Sequence, residues 1–195
     1  EVKSLDSIAS YLNGLALQKF PPTGIDDLPV IKIAQLRKGD TVGADLASRA
    51  IKPEYVVQNG DVLFSWSGSL EVEIWCGGEG ALNQHLFKVT STEYPKWLCY
   101  LWTRYHLDSF RQIAASKATT MGHIQRSHLS AAKVVVPSDA VLKSADGILS
   151  QLIDRIIATA LQAQTLSTLR NTLLPRLISG QLRLPEAQAA LEAAP

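Results

Sequence analysis

Along the final third of the chain apolar residues recur at three- and four-residue steps: Leu149, Leu152, Ile153, Ile156, Ala160, Ala163, Leu166, Leu169 and Leu173. That spacing predicts a helix. Ser138 and Asp139 follow Pro137 and can cap its first turn with a short oxygen-bearing side chain. Gly180 is placed to end it in a left-handed conformation. One rod from Ala140 to Leu174 would span about 50 Å. Its stripe starts with alternating four and three steps, as in a coiled-coil seam. From Ala163 it advances by three twice, which shifts the seam around the helix. Ala160 and Ala163 would let a partner helix approach closely. Gly147 weakens the rod by about 1 kcal/mol against Ala, and Pro175 should kink or stop it. The rod either packs on its own domain or pairs with a second long helix. The length of the seam favours pairing.

The preceding residues read as short strands with a few helices. Ser4 to Asn13 places Leu5, Ile8, Ala9 and Leu12 on one helical face. Asn13-Gly14 is a turn signal and Lys19 to Gly24 a loop. Leu28 to Leu36 alternates like a half-buried strand. After the turn at Asn59-Gly60-Asp61, Val62–Trp66 and Leu70–Cys76 form a predicted hairpin across Ser67-Gly68-Ser69. Gly77 to Gly80 is flexible backbone, and Ala81 to Val89 a further strand. From Pro95 to Ala115 the period becomes helical through Trp97, Leu98, Leu101, Trp102, Tyr105, Phe110 and Ile113. Ser116 to Gly122 is a polar loop, His123 to Leu129 a short capped helix, and Lys133 to Val136 an extended segment. The expected organisation is α+β: a mainly β domain over 1–136, the long helix over 137–182 and a frayed tail over 183–195.

Composition narrows the function only slightly. The formal net charge of the 195 residues is +1, so any nucleic-acid affinity must come from local clustering. Cys76 and Cys99 form no C-x-x-C pair and have no grouped histidines. That argues against zinc and for reduced, buried thiols. No apolar run reaches membrane-spanning length and no signal peptide opens the chain, which predicts a cytoplasmic protein. Opening on Glu1 rather than Met fits either a trimmed chain or an excised part.

The usual catalytic signatures are missing. There is no G-x-x-x-x-G-K-[ST] phosphate loop and no G-x-S-x-G elbow. Phe20-Pro21-Pro22-Thr23 lacks the carboxamide of an amino-methyltransferase motif. Glu71 and Glu73 share a strand face without a following Lys at nuclease spacing and read as solvated carboxylates. His85, His106, His123 and His128 are scattered, as surface or hydrogen-bonding histidines are. No catalytic residue, cofactor or metal is expected.

One segment stands out. Ser116 to His128 carries Lys117, Thr119, Thr120, His123, Gln125 and Arg126 with little acid. These side chains contact phosphates and base edges, although a plain solvated loop can share that composition. Ser65, Ser67 and Ser69, around the predicted hairpin turn, are the second candidate set.

Four passages together resemble the specificity subunit of type I restriction–modification systems. They are Gly60-Asp61-Val62-Leu63-Phe64-Ser65-Trp66-Ser67-Gly68-Ser69, Ala81-Leu82-Asn83-Gln84-His85-Leu86-Phe87-Lys88-Val89, Met121-Gly122-His123-Ile124 through Val134-Val135-Val136-Pro137, and Leu173-Leu174-Pro175-Arg176-Leu177-Ile178-Ser179-Gly180. The resemblance implies a non-catalytic DNA-binding subunit. Such a subunit carries two target-recognition domains, each followed by a long helix, and the helices pair antiparallel as a ruler between half-sites. This chain is similar to half of one. Double-stranded DNA, methyltransferase subunits and a translocase-nuclease subunit are the implied partners, with Lys and Arg holding the DNA backbone. A homodimer through Leu149, Leu152, Ile153, Ile156, Ala160, Leu166, Leu169 and Leu173 would replace the missing second helix. The rival readings are a coiled-coil scaffold whose β domain binds protein, and an enzyme of unrecognised type.

Overall fold

The computed structural model describes residues 1–116, 122–183 and 185. They fall into two compact units, 1–157 and 158–195. In chain order the first unit contains β1 (Val2–Ser4), α1 (Leu5–Ile8), β2 (Ser10–Asn13), β3 (Leu28–Ile31), α2 (Ile33–Lys38), β4 (Leu46–Ala47), β5 (Val56–Val57), β6 (Val62–Ser65), β7 (Val72–Ile74), β8 (Gly80–Leu82), β9 (Leu86–Thr90), α3 (Lys96–Tyr105), α4 (Leu107–Ser116), α5 (Arg126–Ala131) and β10 (Lys133–Val135). α6 (Asp139–Ile178) starts in the first unit and ends in the second.

The central sheet has the order β2-β9-β6-β7 and is antiparallel throughout. Successive side chains on a strand point to opposite faces. Val62 and Phe64 of β6, with Phe87 and Val89 of β9, therefore face a core built with α1, α3, α4 and α5. Leu63 and Leu86 face the other way, onto Ile31, Leu36, Val57, Trp75 and Leu82. The sheet is buried on both faces, which is why β6 reads as an unbroken apolar run. On the helical side Phe64 stacks on Phe110 at 5.8 Å, and Tyr11 meets Phe87 edge-on at 5.9 Å. The buried Tyr11 hydroxyl is 2.7 Å from Thr103 Oγ1, and burial raises its pKa well above the usual phenol range.

A second sheet, β4-β3-β8-β5, is mixed, with β3 parallel to β8. A two-stranded ribbon pairs β1 with β10, and the Glu1 ammonium donates to Val136 O at 2.8 Å.

Three expected elements divide. The Ser4–Asn13 helix is a single turn, Leu5–Ile8, followed by strand β2. A short helix has little propagation to offset its nucleation, whereas β9 supplies Ser10–Asn13 with a full antiparallel partner. The Leu28–Leu36 strand ends at Ile31, and α2 turns Leu36 into the core before Gly39, at φ +78°, ends the helix. Ala81–Val89 breaks at Asn83-Gln84-His85, where Leu86 N–H donates to Asn83 O at 2.9 Å. That turn sends β8 to one sheet and β9 to the other.

Both cysteines are free and buried. Burial pushes the Cys76 thiol up, and the Cys99 thiol up to about 11.

In the first unit α6 lies on the helical core through Leu142, Ala145, Leu149, Ile153 and Ile157. Trp97 Nε1 donates to Asp146 Oδ1 at 2.8 Å, and Ser150 Oγ donates to the same oxygen at 2.5 Å. In the second unit α6 continues through Pro175 to Ile178, where the sequence predicted a kink or stop. Pro175 deprives only one carbonyl, a turn earlier, of its donor, and its fixed φ is helical. Gly180, at φ +73°, ends the helix as its position suggests.

Phe64→Ala should cost about 3–5 kcal/mol, because the cavity would open in the densest aromatic cluster; urea unfolding measures it. The Asp146 carboxyl is held below its ordinary value of 3.8 by the hydrogen bonds from Ser150 and Trp97. Its contribution to stability is therefore complete above the unfolded value and fades as pH falls through the lowered one. Asp146→Asn keeps the acceptor but not the charge. The stability gap between the native chain and this variant should narrow as pH drops below 3.8, which acid titration of the melting temperature checks.

Candidate nucleic-acid interface

Three loops converge at one end of the central sheet: the β6–β7 turn, the Asn83–His85 turn and the segment entering α5. Gly68 N–H donates to Gly122 O at 2.9 Å and Ile124 N–H to Trp66 O at 3.0 Å, with a bridge between Ser67 and His123. Trp66 N–H donates to His85 O at 3.3 Å. The chain thus closes a small backbone lattice around the Trp66 indole. Its Nε1 donates to Asn13 Oδ1 at 2.8 Å and to Gln84 O at 3.2 Å. His85 lies tilted against the ring at 5.8 Å, and His123 meets it edge-on at 6.3 Å. Ser67 Oγ sits 2.9 Å from His85 Nδ1, and Gln84 Nε2 sits 3.3 Å from His85 Nε2.

The expected contact residues separate into three groups. Ser69, His123, Gln125 and Arg126 are exposed. Ser65 and Ser67 are not: they are 0% and 3% exposed. The Ser65 hydroxyl donates to Ser69 O at 2.6 Å and accepts from Glu71 N–H at 2.7 Å, closing the hairpin. Both hydroxyls are spent inside the protein, which corrects their expected place on the surface. Lys117, Thr119 and Thr120 lie outside the described residues.

Arg126 is exposed yet anchored. Its guanidinium donates to Tyr11 O at 3.1 Å, on the open edge of β2, and lies over Phe87 at 5.4 Å. A cation there blunts an unpaired strand edge and still presents further N–H groups outward. Gln125 N–H donates to His128 Nδ1 at 2.9 Å at the start of α5. Sequence reasoning missed Asn13 and Gln84, which come from a different sheet strand and a different turn; no spacing in the sequence links them to Trp66.

Glu71 and Glu73 are half-buried rather than solvated. Glu71 pairs with Arg111 at 3.0 Å. Burial raises the Glu73 pKa against the pull of Arg104. Among the described residues no three His, Cys, Asp or Glu side chains gather as metal ligands, and no helix is long and apolar enough to cross a membrane.

The expected pairing stripe also divides. Leu149 is half-buried on the domain's own core, and Ile153, 7% exposed, belongs to that core. Leu152 and Ile156 point away and are about half exposed, at 53% and 54%. In the second unit Leu166, Leu174 and Ile178 are exposed, while Ala160, Leu169 and Leu173 are half-buried.

This α+β arrangement, with a long terminal helix, is the fold of type I restriction–modification specificity subunits. The solved S subunit of such a system from M. genitalium matches with a TM-score of 0.60 at 14% identity, over 92% of this chain and 46% of that one. The HsdS subunit from Thermoanaerobacter tengcongensis gives a TM-score of 0.46 at 19% identity, over 93% and 45%. A chain from a type I R-M system, solved for its complex assembly and conformational transition, gives 0.49 at 18%, over 89% and 43%. The present chain therefore spans less than half the length of each. No family model and no curated protein matches it.

Ser65→Ala should destabilise the chain by about 1–3 kcal/mol, since Glu71 N–H loses its buried acceptor. Ser69→Ala, on the surface, should stay within roughly 0.5 kcal/mol of the native chain. Chemical denaturation of both variants measures the contrast.

Proposed function

We propose that this chain is a sequence-specific DNA-binding subunit of a type I restriction–modification system. It reads one half of a bipartite target and directs partner methyltransferase and translocase-nuclease subunits. The observation that carries the proposal is the fold shared with the S subunit over 92% of the chain. The exposed polar side chains near Trp66 support it: Ser69, His123, Gln125 and Arg126 stand on two of the three tied loops. Side chains of these kinds hydrogen-bond base edges in the major groove, while cations hold phosphates. Lys117, Thr119 and Thr120 belong to the same segment and share that role. With a net charge of only +1, much of the backbone affinity falls to the partner subunits. The chain itself performs no chemistry. Methylome mapping of cells carrying the system tests the assignment: a bipartite methylated motif that changes when this domain is replaced supports it, and an unchanged motif refutes it.

The chain acts as a homodimer. α6 leaves Leu152, Ile156 and Leu166 about half exposed. Each such side chain left in water forgoes roughly 1.5–3 kcal/mol of burial. An antiparallel, two-fold pairing would cover them with the same patch of a second copy. Two identical half-sites would then be read as an inverted repeat with a fixed spacer.

Ile156→Glu with Leu166→Glu should convert the dimer to a folded monomer, because both side chains are exposed in the single chain. Light scattering at micromolar concentration, with circular dichroism as the folding control, checks it. A native chain that is already monomeric overturns the pairing.

A further inference from the structure

The chain contains two Asn-Gly pairs, Asn13-Gly14 and Asn59-Gly60. Such a pair is chemically fragile, because a glycine nitrogen with no side chain beside it can swing toward the preceding carboxamide. The fold sets the two in different surroundings. Asn13 is half-buried at the end of β2. Its Oδ1 accepts from Trp66 Nε1 at 2.8 Å, and its Nδ2 donates to Gly14 O at 3.3 Å. Gly14 N–H donates to Leu86 O at 3.0 Å. The backbone there is enclosed: a β-carbon on Gly14 would lie 2.2 Å from Asn83 O. A swing of the Gly14 nitrogen toward the Asn13 carboxamide has no space.

Asn59 is exposed, in the turn before β6. Its Oδ1 accepts from Gly78 N–H at 2.8 Å. Gly60 N–H is bonded too, to Trp75 O at 2.6 Å, so the contrast does not lie in the glycine amides. It lies in access to water and in space. A β-carbon on Gly60 would meet side-chain ends, Ile157 Cδ1 at 3.3 Å and Lys96 Nζ at 3.4 Å. Among the described residues no carboxylate pairs with Lys96; nearby Asp61 pairs with Lys88 at 2.9 Å. An ammonium beside the Gly60 backbone favours the anion of its amide.

We propose that Asn59 is a deamidation site of the native chain, that Lys96 promotes the reaction, and that the fold shields Asn13 from it. Hydroxide takes the Gly60 amide proton. The nitrogen then attacks Asn59 Cγ and closes a succinimide ring, while the carboxamide nitrogen takes a proton from water and leaves as ammonia, regenerating hydroxide. Water opens the ring at either carbonyl, giving aspartate or isoaspartate. The net change consumes a water and releases an ammonia, with nothing oxidised or reduced. The isoaspartate product lengthens the backbone at the turn that packs against Ile157.

The full chain is aged in mildly alkaline buffer, digested, and each Asn-Gly peptide followed by mass spectrometry for the exchange of NH2 for OH. In the native chain Asn59 should react about tenfold faster than Asn13, the scale of one retained hydrogen bond. In urea both pairs should react at similar rates, since the surroundings are then gone. Lys96→Gln removes the ammonium from an exposed position and should slow Asn59 by about threefold, the scale of one exposed charge interaction. Equal native rates, faster reaction at Asn13, or an Asn59 that is inert in the native chain while reacting in urea overturns the proposal. An unchanged rate in Lys96→Gln overturns the part given to the ammonium. The comparison within the native chain needs no variant, so it stands even if Lys96→Gln does not fold.

Discussion

The structure depends on one constraint: the central sheet is covered on both faces. Val62 and Phe64 are committed to the helices, and Leu63 to the second sheet. A slip of one residue along β6 would exchange these sets and set Phe64 against Trp75. Register is therefore fixed in the middle of the domain, and the loops at the end of β6 inherit it. Trp66 stands one residue beyond the strand, and its indole can gather Asn13, Gln84 and His85 only because β2, β6 and β9 are held in one alignment. The polar end of the sheet is ordered by the apolar middle.

Much of the fold was legible in the sequence. The β6–β7 hairpin, the helices after Pro95, β10 and the long terminal helix all follow from period and turn chemistry acting locally. The three segments that divide share one cause. In Ser4–Asn13, Leu28–Leu36 and Ala81–Val89 the apolar spacing fits more than one local structure, and a distant partner makes the choice. β9 claims Ser10–Asn13, and two separate sheets divide Ala81–Val89. The sequence pattern cannot register a partner that lies tens of residues away.

The candidate interface was legible by composition and less so by geometry. His123, Gln125 and Arg126 are exposed, as polar residues in a loop should be. Ser65 and Ser67 have the same chemistry and the opposite placement, because the hairpin turn needs their hydroxyls to satisfy its own backbone and His85. The helix behaves similarly. Its apolar stripe is one pattern in sequence, but Leu149 and Ile153 serve the domain while Leu152 and Ile156, on the adjoining face, do not. A seam that looks single is two surfaces on one rod, with separate burial.

The ribbon of β1 and β10 has an architectural consequence. The first strand of the domain and its last lie side by side, tied from Val2 to Val135, and the Glu1 ammonium reaches Val136 O. Everything between, both sheets and five helices, is a closed excursion that leaves and returns at one root beside the start of α6. Such a topology makes the domain an exchangeable cassette. A different excursion could close on the same root without rebuilding the helix that follows it.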